Sequence, residues 1–161
     1  MYLTQFSMTK SWILKADMDG HNIIVVAHET GYPMGIAVDF WSSLIFWARA
    51  GASLGVMTSN LHGKNVQVVA EDEIDFPYGI AVSESEIFWG SQGGKVKSSS
   101  KLGVNITVLY NGTAPVRHIV LANRLSSTRS RSNDCFEVCV GICVLTPASF
   151  RCLFPESFLG D

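Results

Sequence analysis

The 161-residue sequence is short of charge: only 16% of it is Asp, Glu, Lys or Arg, against about 25% in an ordinary soluble domain. It has no cysteine before residue 135, so the body of the chain uses no disulfide or thiolate. No run reaches the roughly 18 uninterrupted apolar residues of a membrane helix, and no useful stretch shows the 3.6-residue spacing of an amphipathic helix. The start, Met1-Tyr2-Leu3-Thr4-Gln5-Phe6, lacks a basic segment leading into an apolar one and is not read as a signal peptide. There is no phosphate-binding glycine loop and no His-Glu-x-x-His, so the commonest nucleotide-binding and zinc-peptidase signatures are missing. A net charge of −2 gives no general attraction to nucleic acid or acidic lipid. With 47% apolar residues the chain is not a disordered tail. It is either mostly buried β-structure or a piece of a larger protein.

What is present is a repeat. Asp19-Gly20-His21-Asn22 followed by Ile23–Val26 returns as His62-Gly63-Lys64-Asn65 followed by Val66–Val69, 43 residues on. A third copy is Leu102-Gly103-Val104-Asn105, then Val108 and Leu109. The second half of the unit repeats too: Tyr32-Pro33-Met34-Gly35-Ile36-Ala37-Val38 matches Phe76-Pro77-Tyr78-Gly79-Ile80-Ala81-Val82, and Ile45-Phe46-Trp47 matches Ile87-Phe88-Trp89. Each unit reads as four short strands. A turn glycine, which reaches φ > 0 without steric cost, joins two β-rich runs. The β-branched runs Ile23–Val26 and Val66–Val69 suit strands buried on both faces. The proline breaks the ladder and starts a turn, and the last strand ends in Phe-Trp. Four strands in 40–45 residues is the unit of a β-propeller, whose stacked blades bury both sheet faces and leave few positions for charge.

The order strand, Asp-Gly turn, strand, Pro-x-Gly-Ile-Ala-Val, Phe-Trp resembles the Tyr-Trp-Thr-Asp (class B) repeats of the low-density lipoprotein receptor family. Phe46-Trp47-Ala48-Arg49 and Phe88-Trp89-Gly90-Ser91 stand at the motif, with its Thr and Asp replaced. Tyr2-Leu3-Thr4-Gln5 is a weaker copy, which would start the chain on the last strand of an earlier blade. Asp39 keeps the family's Asp after Ala-Val, and Ser83 replaces it in the next unit. The resemblance implies an all-β fold: a partial six-bladed propeller with about two full blades and parts of two more. It would occupy residues 1–123 (repeats near 1–50, 51–92 and 93–123), with a linker over 124–134. Residues 135–161 would be a truncated or degenerate, disulfide-bonded module of the epidermal-growth-factor type.

The four cysteines, Cys135, Cys139, Cys143 and Cys152, fit such a stapled module, and on spacing alone allow three connectivities. The resemblance implies Cys135–Cys143 and Cys139–Cys152, with Phe154 where a fifth cysteine is expected. Their spacing matches no common zinc or iron–sulfur pattern, so neither metal nor cofactor is expected. Charge is uneven: residues 1–90 carry ten acids and four bases, residues 91–161 four acids and eight bases. The acidic run Glu71, Asp72, Glu73, Asp75 and the Ser-rich stretch with Arg124, Arg129 and Arg131 read as a solvated loop and linker.

Phe46, Trp47, Phe88 and Trp89 read as blade core because they recur at the repeat period. Phe40 and Trp41, between strands, are candidate ligand-facing aromatics, of the kind interfaces favour. Asn105-Ile106-Thr107 and Asn111-Gly112-Thr113 are N-glycosylation triplets, although Asn105 shares the repeat position of Asn22 and Asn65 and could serve the turn. His21, His28, His62 and His118 read as surface residues, with a pH-sensing role as the alternative. The resemblance implies a non-catalytic, extracellular, ligand-binding region of a low-density-lipoprotein-receptor-related protein, acting in endocytic uptake or as a Wnt co-receptor. Its partners would be extracellular proteins, not nucleic acid, and it would meet the membrane only through other parts of a larger single-pass receptor. A matrix propeller of the nidogen type is the alternative reading, and a metal-dependent propeller hydrolase a lesser one.

Overall fold

The computed structural model describes residues 1–7, 10–29, 31–51, 53–71, 75–121, 142–145 and 150–153. The chain forms two units. The larger runs through Tyr2–Leu14 and Val25–Leu121 and contains three sheets. The first has β1 (Tyr2–Phe6), β2 (Ser11–Lys15) and β3 (Ile24–His28) in that order. The second is an antiparallel meander of β4 (Tyr32–Asp39), β5 (Leu44–Ala50), β6 (Gly55–Asn60) and β7 (Gln67–Glu71). The third repeats it with β8 (Pro77–Val82), β9 (Glu86–Ser91), β10 (Lys95–Ser100) and β11 (Thr107–Asn111). The smaller unit includes the tip of the β2–β3 hairpin and a separate hairpin, β12 (Ile142–Leu145) with β13 (Phe150–Leu153). The described residues contain no helix, hence none long and apolar enough to cross a membrane.

The repeated turns have one backbone design. Asp17, Asn60 and Ser100 each donate their N–H to the carbonyl four residues on, at 2.9–3.0 Å, and accept the N–H of the turn glycine three residues on. Gly20, Gly63 and Gly103 have φ of 84°, 74° and 77°, and Asn22, Asn65 and Asn105 have φ of 53°, 59° and 60°. Asn is among the few residues with a side chain that enter this left-handed region readily, which explains its recurrence. Gly63 also has a tertiary duty. A Cβ there would lie 1.7 Å from the Val26 carbonyl oxygen, and Gly103 meets the Val69 carbonyl at the same distance.

Two hydrophobic clusters hold the sheets face to face. Ile13 and Ala27 of the first sheet pack with Ile45, Trp47 and Met57 of the second. Phe46, Val56 and Ala70 of the second pack with Ile80, Ile87 and Trp89 of the third. Adjacent residues of a strand point to opposite faces, so Phe46 and Trp47 anchor their sheet to different neighbours.

Three expectations are corrected. The Phe-Trp strand is the second of its sheet, not the last: β5 lies between β4 and β6, and β9 between β8 and β10. By the same correspondence β1 is a second strand. The sheets therefore group residues 2–28, 32–71 and 77–111, a different phase from repeats near 1–50, 51–92 and 93–123. Pro33 and Pro77 do not break the ladder. Pro33 is the second residue of β4 and Pro77 the first of β8, and both are paired, opposite Arg49 and Ser91, beside a register shift. Each is on an edge strand, where a missing N–H is tolerated. Finally, Val25, Val66 and Val68 are exposed, so the β-branched runs are not buried on both faces. They form the outermost edge strand, and only Ala27 and Ala70 within β3 and β7 are fully covered.

Candidate ligand-binding surface

The β4–β5 turn carries the two most exposed neighbouring aromatics. Phe40 is 73% and Trp41 87% exposed. Their backbone is fixed from below. The buried Asp39 carboxylate accepts the N–H groups of Trp41 and Ser42 at 3.1 and 3.3 Å, an Asx turn in which a side chain replaces a backbone acceptor. Its other oxygen receives the Lys101 ammonium from the β10–β11 turn, 62 residues on. Lys101 also reaches the Ser42 hydroxyl at 3.4 Å. Burial acts to raise the Asp39 carboxyl pKa, but the hydrogen bonds from Lys101 and Ser42 and the Lys101 charge outweigh it and hold the group below the ordinary carboxylate range. A salt-linked pedestal thus presents Phe40 and Trp41 to solvent. Exposed large aromatics held on a rigid turn can fill a pocket of a protein partner at little entropic cost.

A second feature opens where β1, β4, β8 and the segment Arg117–Ile119 meet. A cavity of about 570 Å³ is lined by Thr4, Phe6, Met34, Tyr78, Arg117 and His118 among others. The Thr4 hydroxyl donates to the Met34 carbonyl at 2.7 Å, and the Arg117 guanidinium lies 5.8 Å from the Tyr78 ring centre. The walls approach closely because Gly35 faces the Tyr78 carbonyl and Gly79 the Arg117 carbonyl, each with no room for a Cβ. Among the described residues no three His, Cys, Asp or Glu side chains converge to hold a metal.

The residues replacing the motif's Asp are also satisfied from elsewhere. Arg49 stands 3.9 Å from the Glu29 carboxylate, whose other oxygen accepts the Trp47 indole N–H at 2.9 Å. Ser91 donates its hydroxyl to Asp75, which also accepts the Gly93 N–H at 2.7 Å. In both sheets an acid from the connection ahead of the innermost strand supplies the charge that the motif position lacks. Sequence reasoning missed this because Glu29 and Asp75 lie at different distances from Pro33 and Pro77. It also missed the Lys101 link and the cavity. Asp39 alone carried a prior signal, as the family's Asp.

Of the remaining candidate residues, Trp47, Trp89 and Phe46 are buried, while Phe88 is half-buried. Asn105 occupies the left-handed turn position and Asn111 the exposed end of β11. His21, His62, His28 and His118 are exposed, and His28 meets the Trp12 ring edge-on at 6.3 Å. Cys143 and Cys152 are backbone register partners in β12 and β13. Cys135, Cys139, Asp72, Glu73, Phe154 and the stretch 124–134 lie outside the described residues.

Four-stranded antiparallel sheets stacked face to face, with a Pro-x-Gly innermost strand and an aromatic second strand, define a β-propeller of the Tyr-Trp-Thr-Asp type. No protein-family model matches the chain. Over 92 residues, 55% of the chain, it is 35% identical to Protein cueball of Drosophila ananassae. Over 148 residues, 89% of the chain, it is 24% identical to low-density lipoprotein receptor-related protein 5 of Mus musculus. The matches span 14% and 9% of those relatives' lengths. Among solved structures, the nidogen/laminin complex matches 71% of the chain and 45% of the solved chain, with a TM-score of 0.63 and 21% identity. A gluconolactonase from Xanthomonas campestris matches 71% of the chain and 39% of its own, with a TM-score of 0.59 and 14% identity. The sequence is thus similar to a low-density lipoprotein receptor-related protein and to Protein cueball, and the fold is similar to a solved β-propeller.

Proposed function

We propose that the chain is the ligand-binding propeller region of an extracellular, non-catalytic low-density-lipoprotein-receptor-related protein, working in endocytic uptake or Wnt co-receptor signalling. Its ligand is a protein, and Phe40 and Trp41 are contact residues. The observation that carries the reading is this exposed aromatic pair, held on a buried Asp39–Lys101 link in a chain related over 89% of its length to a receptor-related protein. Residues 1–123 form the propeller part, 124–134 the linker and 135–161 a growth-factor-like module with Cys135–Cys143 and Cys139–Cys152 paired. Attachment to a membrane comes from parts of a larger protein. A matrix role is the second reading, favoured by the likeness to a propeller solved in complex with laminin.

The test is binding of the purified chain to an array of extracellular proteins that includes laminin, with Phe40→Ser and Trp41→Ser variants alongside. The proposal expects a protein partner whose binding drops at least tenfold in both variants while the circular dichroism spectrum is unchanged. Laminin as that partner favours the matrix role. Binding indifferent to both substitutions, or no protein partner at all, overturns the assignment.

A further inference from the structure

The first sheet is one strand short. The turn glycines align β2 with β6 and β10, and β3 with β7 and β11. Ala16 donates its N–H to the Met1 carbonyl at 3.0 Å, as its equivalents Ser59 and Ser99 pair with Ile45 and Ile87. β1 therefore corresponds to β5 and β9, with Leu3 at the place of Trp47 and Trp89. The second and third sheets carry a further strand, β4 and β8, on the inner side of that position. Among the described residues no strand lies there beside β1. The missing kind of strand occurs after the third sheet. Arg117 and His118 line the cavity beside Met34 and Gly35 of β4 and Tyr78 and Gly79 of β8. A Cβ on Gly35 would lie 2.5 Å from the Tyr78 carbonyl oxygen and 3.0 Å from the Gly79 Cα, and one on Gly79 would lie 2.6 Å from the Arg117 carbonyl oxygen and 2.8 Å from the His118 Cα. Val116 fastens the segment to the third sheet by donating its N–H to the Ser91 carbonyl at 2.9 Å. Residues 116–119 thus sit where the innermost strand of a next sheet belongs. No aromatic second strand of the Phe-Trp kind follows them, because the sequence has no tryptophan after Trp89.

The two terminal faces also complement each other. Trp47 clusters with Ala27 across the joint of the first and second sheets, and Trp89 with Ala70 across the next. At the ends the sizes are exchanged. Leu3 takes the tryptophan place, and Tyr110 takes the alanine place, since Val96 faces Tyr110 as Val56 faces Ala70. Leucine against tyrosine fills about the space of tryptophan against alanine, and exchanges that conserve volume are those a core tolerates. We propose that two copies of this chain close one ring of six sheets, each copy lending residues 116–119 to the other as the innermost strand beside β1. Ile119 then lies opposite Leu3, as Ile36 lies opposite Trp47 and Ile80 opposite Trp89, and Leu3 of one copy packs on Tyr110 of the other. Adding a strand to an open edge is a general mode of association. Six sheets fall within the four to eight of propellers, and the chain matches 45% and 39% of two solved propeller chains, so each copy supplies a little under half of such a ring. The two joints are identical and related by a twofold axis, so assembly stops at two. His118 stands where β4 and β8 have glycine, so the joint to the next β4 is wider there than those within the chain. The inference goes beyond the reading above: it rests on the propeller fold and holds whatever the ligand. In a larger protein the same joint would bring two molecules together.

The test measures the weight-average mass of the purified full chain by light scattering over a range of concentrations. The mass is expected to rise from one chain to a plateau at two, so dilute samples report the single copy with both terminal faces open. Leu3→Trp and Tyr110→Ala should each raise the concentration of half-assembly about tenfold, one by overpacking and the other by leaving a cavity. The double variant should return to within about threefold of the wild type, with circular dichroism unchanged throughout. Leu3 and Tyr110 belong to the first and third sheets, with the second packed between them, so their coupling cannot arise inside one copy. Ile119→Asp, which sets a charge opposite Leu3 in the joint, should hold the mass at one chain. A single chain at every concentration, a mass that climbs past two copies without a plateau, losses that simply add in the double variant, or assembly that survives Ile119→Asp overturns the proposal.

Discussion

The second and third sheets carry the same dipeptide, yet treat it differently. Phe46 and Trp47 are both fully buried, whereas Trp89 is buried and Phe88 only half so. The second sheet shares a buried hydrophobic cluster with a neighbour on each face, whereas the third shares one on a single face and meets only the segment Val116–His118, at Gly79 and Gly90, on the other. Ala70 and Tyr110 differ in the same direction, 4% against 59% exposed at one register position. Burial here is conferred by the adjoining sheet, and residue type follows it.

This contrast is tested most forcefully at the aromatic pair. Phe46→Ala should cost about 4 kcal/mol of unfolding free energy and Phe88→Ala less than half of that, because the penalty grows with the size of the cavity the missing ring leaves. Urea denaturation of both variants measures the gap, and equal losses would show that the third sheet is covered on both faces. Next comes the exchange at the outer strand. Ala70→Tyr should destabilise by about 3 kcal/mol through overpacking, while Tyr110→Ala should stay within about 0.5 kcal/mol as surface changes do. Thermal melts suffice.

The buried link gives a smaller, pH-dependent effect. Asp39→Asn removes the charge that Lys101 pairs with, and should cost about 2 kcal/mol near neutral pH, the range for hydrogen bonds to charged groups. The Asp39 carboxyl is held below its ordinary value. Its stabilisation is therefore complete above the unfolded carboxylate value of about 3.9 and is lost as pH falls through the lower folded value. Melting curves between neutral and acidic pH should converge for wild type and Asp39→Asn at the acid end. Ser83, its counterpart in the third sheet, only closes a local turn with Glu86, and Ser83→Ala should change stability by under about 0.5 kcal/mol. Smallest of all, Trp41→Ser should leave stability within about 0.5 kcal/mol, since the side chain is 87% exposed.

Much of the fold was legible in the chain. The recurrence of Gly20, Gly63 and Gly103 with Asn22, Asn65 and Asn105 marked three hairpin turns, because two left-handed positions so close together restrict residue choice sharply. Phe46-Trp47 and Phe88-Trp89 marked the strands that hold the sheets together. Less legible was the phase of the repeat. A periodic sequence reads the same from any starting point, and only strand pairing shows that Pro33 and Pro77 open a sheet in place of ending one. The β-branched runs misled for a related reason. They signal a pleated strand and not the number of neighbours above and below it.

The sequence alone determined local matters: the turn conformations, the alternation of side chains and the period at which aromatic strands return. These depend on backbone sterics and near-neighbour chemistry, which each segment carries with it. Tertiary structure decided which face of each strand is dry, which distant acid meets which base, and how the substituted motif positions are satisfied. Glu29 reaches Trp47 and Arg49, Asp75 reaches Ser91, and Lys101 reaches Asp39 across 62 residues. Such pairings depend on how sheets dock, because the strength of an ion pair or hydrogen bond is set by the water excluded around it.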